Sequence, residues 1–207
     1  MYNAEAKTLR SYRAQARTVR DGVTGNAALT AAVAIALLVL LAAEGATIPF
    51  IGQLLGPHIF IGMLLIGPVL LKLGSTGYRL ARYYTHAEPY VRRGPPPLAL
   101  RLLAPGVVLT TLALLGTGVA LIFTGRPSDT LVFAHKLSFF AWVGLMALHV
   151  LAHLLELPRL ALPNWHRDAT REARLAGSPA RMLALGGSLV AGCGLGLLGL
   201  SLASSWL

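Results

Sequence analysis

HKLSFFAWVGLMALHVLAHL occupies residues 135–154. Between His135 and His149 every residue except Lys136 and Ser138 is apolar, small or aromatic. At ~1.5 Å of rise per residue such a helix is about 30 Å long, the thickness of a bilayer's hydrocarbon core. Ionisable side chains are costly at that depth and usually carry function. The stretch therefore reads as a lipid-embedded helix with a site built on its histidines.

The rest of the chain agrees with a membrane reading. Of its 207 residues, 55% are hydrophobic and 13% charged. Five runs approach or exceed the length a membrane helix needs, at about 26–43, 50–71, 102–123, 131–155 and 182–207. None has the polar stripe that a helix on a water-soluble core would show. The fold class is thus predicted to be an all-α integral membrane protein with five transmembrane helices.

Charge placement predicts the topology. Of 18 Lys and Arg, five lie in residues 1–25, six in 72–101 and five in 158–181. Alternate loops are therefore basic, as the positive-inside rule requires. The amino terminus is expected inside, with the loops at 44–57 and 124–134 facing outward. The net charge of +10 then points to anionic lipid headgroups and not to nucleic acid. Cys193 is the only cysteine, so no internal disulfide can form.

Four segments follow from this pattern. Residues 1–25 form a basic cytoplasmic segment, amphipathic over 4–20, that is expected to lie on the inner membrane face. It precedes a retained first helix and is not a signal peptide. Residues 26–157 form a four-helix membrane core. Within it Pro57 suits a helix start, and Gly67-Pro68 is expected to bend the second span. Residues 158–181 form a basic cytoplasmic loop. Residues 182–207 form an extra fifth span, in which Ser188, Gly192 and Gly196 recur every fourth residue and predict close helix packing.

Two histidines begin apolar spans, His58 in the second and His135 in the fourth. The predicted topology puts both at the outer end, where two facing helices can hold one haem iron from opposite sides. His149 lies 14 residues after His135 and His153 lies 18 after it. Both fall near the helical phase of His135, deeper toward the inside. One face carrying histidines near both membrane surfaces suits two stacked haems. A different reading takes His149, His153 and Glu156 as a zinc or iron site on one helix face.

HIFIGMLLIGPVLLKL at 58–73 and HKLSFFAWVGLMALHVLAHL at 135–154 resemble the cytochrome b561 superfamily. This superfamily includes the cytochrome b subunits of nickel–iron hydrogenases and formate dehydrogenases. The resemblance covers roughly residues 26–157. It implies a four-helix core binding haem b, one molecule or two, with His58 and His135 on the outer haem and His149 on an inner one. The family's inner haem takes its second ligand from the inner start of the first helix. Here DGVTGNAALT at 21–30 holds no histidine, so Lys72 or Met182 would have to serve. Lys72, Arg79 and Arg82 are further candidates to pair with haem propionates. The resemblance also implies electron exchange with quinone or with a redox partner subunit on the outer face. The location would be the cytoplasmic membrane, and substrate chemistry would belong to the partner. The competing expectation is a haem-free anchor or assembly subunit of a larger complex.

Overall fold

The computed structural model describes the backbone of residues 2–92, 94, 98–124, 128–161 and 178–204. Side chains of residues 1–22, 24 and 153–178 lie outside the described residues. The amphipathic face of 4–20, His153, Glu156, His166 and most of the 158–181 loop are therefore not described.

Among the described residues the chain is helical and has no strand. The helices are α1 (Tyr2–Thr47), a 3-10 turn (Ile48–Phe50), α2 (Ile51–Tyr84), α3 (Glu88–Arg92), α4 (Leu98–Phe123), α5 (Asp129–Ala161) and α6 (Ser178–Leu202). Four uninterrupted helical stretches are long and apolar enough to cross a membrane: Gly25–Tyr84, Leu98–Phe123, Asp129–Ala152 and Pro179–Leu202. The chain is a multi-pass helical membrane protein. Large apolar side chains such as Ile35, Leu38, Leu102, Phe140 and Val190 point outward, as lipid-facing positions require.

The first stretch is not one rod. Its 60 residues would extend about 90 Å at ~1.5 Å each, three times the hydrocarbon core. The chain reverses between α1 and α2 through the 3-10 turn, and Leu54 leaves helical geometry at φ −111°, ψ 24°. Pro57 explains the break, because its ring collides with the backbone one turn earlier. The regular part of α2 thus begins beside His58. At Gly67-Pro68, where a bend was expected, no residue leaves the helical region. Pro68 is fully buried.

α1 also departs from expectation. A surface helix followed by a separate span was predicted, but α1 is one continuous helix of 46 residues. Gly22 and Gly25 each cost about 1 kcal/mol relative to alanine, which does not end the helix here.

Antiparallel packing of α1 on α2 is set by a polar cluster in the halves of the two helices remote from the turn that joins them. Asn26 Nδ2 donates to Ser75 O at 3.1 Å, and Lys72 Nζ donates to Thr30 O at 2.8 Å. The Thr30 and Ser75 hydroxyls meet at 3.1 Å. Here backbone carbonyls supply partners that lipid cannot. Beyond α2, a turn with His86 at φ 55° brings α3 back, and Tyr90 packs edge-on against Tyr78.

α6 lies antiparallel on α2 at very short range. A Cβ on Gly67 would collide with the Ser188 carbonyl oxygen, and one on Gly192 with the Leu64 carbonyl oxygen. Phe60 lies over Gly196, its ring 2.7 Å from where a Cβ would sit. Small residues at four-residue spacing let the two backbones touch.

The bundle therefore has two parts. α1, α2 and α6 form one packed group, and α4 and α5 form the other. α4 alone bridges them, with limited packing on α2 and α6; α5 has no extended contact except with α4. The bridge is an apolar cluster of Ile59, Met63, Ile122 and Ala203, joined by Val119 and Leu195. Deeper along the α4–α5 seam, Trp142 Nε1 donates to Thr111 Oγ1 at 2.9 Å. Trp142→Phe keeps most of the ring packing and loses that bond. It should destabilise the detergent-solubilised protein by about 1 kcal/mol, read as a small drop in its thermal midpoint.

Candidate functional site

The end of α1, the start of α2, the end of α4 and the start of α5 meet at one end of the bundle. There the rings of His58 and His135 face each other with centroids 6.4 Å apart and planes at 88°. His58 comes from the α1–α2–α6 group and His135 from the α4–α5 pair. Their helices do not pack extensively on each other, so the rings meet across a separation that no helix contact closes.

Each ring is held through Nδ1. Thr117 Oγ1 lies 3.0 Å from His135 Nδ1 and also 2.7 Å from Ala113 O. The hydroxyl can place its hydrogen on Ala113 O or, at 3.0 Å, on Leu114 O, and its oxygen is then free to accept from Nδ1–H. The same reasoning applies to His58. Thr47 Oγ1 donates to Glu44 O at 2.6 Å and accepts from His58 Nδ1–H at 2.8 Å. The Glu44 carboxyl adds a second acceptor, with Oε1 3.0 Å from the same Nδ1. With Nδ1–H donating to these oxygens, each imidazole carries its lone pair on Nε2, the form that binds a metal.

The surroundings are tailored to these side chains. A Cβ on Gly118 would lie 3.3 Å from His135 Cε1, and one on Gly62 would lie 3.2 Å from Glu44 Oε1. Thr47 is buried, and the side chains of His58 and Glu44 are 22% and 15% exposed.

The ring spacing has a chemical meaning. Imidazole nitrogens bind first-row metals at about 2.0 Å, and the ring centre lies ~1.1 Å behind, so two rings on opposite sides of one metal have centres roughly 6.3 Å apart. The observed 6.4 Å fits that span. Two nitrogens do not complete the shell of a bare metal ion. Among the described residues no group of three or more His, Cys, Asp or Glu side chains gathers to do so. A planar cofactor that brings its own four equatorial donors fits this two-nitrogen set.

The other predicted residues lie elsewhere. His149 is half-buried on α5, 14 residues and about 21 Å inward of His135, too far to share its centre. Lys72 and Arg79 lie about 21 and 32 Å inward of His58 along α2, and the Lys72 amino group is turned toward α1. Neither is brought to the His58–His135 pair. His86 is exposed at its turn. Reading residues singly missed Glu44, Thr47 and Thr117. Their signal in the sequence was faint: an acid and two hydroxyls at the ends of apolar runs, on the side assigned to the histidines. Comparison with protein-family models, with curated proteins and with solved structures finds no match to this chain.

Proposed function

We propose that this protein is a b-type membrane electron-transfer protein of the cytochrome b561 kind, with one haem held by His58 and His135. It crosses the cytoplasmic membrane five times, with α1 and α2 counted separately and the amino terminus inside. The basic segments at 1–25, 72–101 and 158–181 support that orientation. The haem would lie near the outer face and exchange electrons there with quinone or a partner subunit.

One observation carries this reading. Two imidazoles, each held at Nδ1, stand 6.4 Å apart on helices from different halves of the bundle. When bound, haem supplies reversible one-electron chemistry. The chain's own residues do the rest. His58 and His135 present Nε2 lone pairs; Thr47, Glu44 and Thr117 orient the rings; and Ile59, Met63 and Ile122 keep water from that end of the bundle.

The test is a pyridine haemochrome assay on the detergent-purified chain, with a dithionite-reduced spectrum. A ratio of about one haem per chain is expected, with the split bands of low-spin bis-histidine ligation. A ratio of about two would add an inner centre at His149. A colourless protein purified from haem-replete cells would overturn the proposal.

A further inference from the structure

The two rings are not held alike. His135 is held by neutral groups, the Thr117 hydroxyl and the Leu114 backbone, whereas His58 has a hydroxyl and a carboxyl. Neutral groups are enough to hold His135, so a carboxyl on His58 is not needed merely to orient the ring. Its presence also has a cost. Glu44 Oε2 is buried and has no hydrogen-bond partner among the described residues. An unsatisfied buried oxygen of this kind is destabilising. Gly62 leaves the carboxyl just enough room, since a Cβ there would press on Oε1 at 3.2 Å. An acid kept at this end of the bundle, aimed at the back of one ligand, is poorly explained by packing.

We infer that Glu44 is a positioning residue that makes His58 the stronger electron donor of the two histidines. The inference rests on the haem reading above. A carboxyl that accepts from Nδ1–H draws that proton toward itself and increases electron density on Nε2. A more basic axial ligand favours the oxidised metal, so Glu44 lowers the reduction potential of the centre. The pair is thus unequal by construction, with an acid behind His58 and only neutral groups behind His135.

The experiment compares the full-length wild-type chain, Glu44→Gln and Glu44→Ala in detergent. Haem content is measured first, then the midpoint potential by redox titration with optical detection. Both variants should keep their haem, because His58 and His135 remain. Both should titrate at a higher potential than wild type, with Ala shifted further than Gln. The amide of Gln still accepts a hydrogen bond but draws the proton less. Glu88→Gln, which alters an exposed acid on α3, should leave the potential unchanged. If Glu44→Ala does not fold, Glu44→Gln carries the comparison, since it preserves size and shape. Variants that keep haem at the wild-type potential would overturn the role of Glu44 and leave the histidine centre standing. A wild-type chain without haem would instead overturn the proposal on which this inference rests.

Discussion

His58→Ala and His135→Ala should each reduce bound haem from about one per chain to nearly none. On the proposed haem reading, either change removes one of two axial ligands and leaves a hole where a ring stood. The remaining imidazole has no nearby substitute. Among the described residues its polar neighbours are a threonine hydroxyl, the Leu114 backbone at His135 and, at His58, a carboxyl already engaged with Nδ1. His86→Ala, in an exposed turn, should keep the full ratio. Measurement is by pyridine haemochrome on monodisperse protein, so that loss of haem is separated from loss of fold. Normal haem content in both variants would sink the assignment. Thr117→Val is the milder companion. It leaves His135 in place but releases its Nδ1, and should loosen haem retention without abolishing it.

The second large effect is on assembly of the bundle. Gly67→Val and Gly192→Val should each destabilise the folded protein by more than about 3 kcal/mol, at or beyond the top of the usual range for overpacking. An overpacked side chain normally finds relief by rotamer changes around it. Here the obstacles are the carbonyl oxygens of Ser188 and Leu64, so the helices themselves must move apart. Separation would also disturb the apolar cluster of Ile59, Met63 and Ala203 beside the histidines. The readout is the thermal midpoint in detergent, followed by size-exclusion chromatography. Gly194→Ala is the control of opposite sign. It lies on the same helix with open space around it, so it should be neutral or slightly stabilising.

These two predictions differ in how far they could be read from the sequence. The small residues Ser188, Gly192 and Gly196 announced a packing face on α6. Their counterpart, Gly67 beside Pro68, was read as a bend. A kink and a contact both use glycine next to proline, and only the packed neighbour tells them apart. His58 and His135 were both legible as histidines at one end of the bundle, because each opens an apolar run and charge asymmetry puts both runs in the same direction. Whether the rings would meet was not legible. That depends on the rotation of α2 and α5 about their axes, which is set by packing on α1, α4 and α6. Lys72 shows the same limit. Its depth followed from residue counting, but its direction, toward Thr30 and away from the histidine side, depended on its neighbour.

The sequence by itself determined that this is a helical multi-pass membrane protein and which residues lie at each depth. Hydrophobicity and rise per residue are local and additive, so they can be summed along the chain without knowing its partners. Only the tertiary structure decided that Thr47 and Glu44 hold one ring and Thr117 the other, with the planes crossed at 88°. Those hydrogen bonds join different helices and tolerate errors of only a few tenths of an ångström. Such precision comes from the packed bundle, where the register of each helix is fixed by all the others.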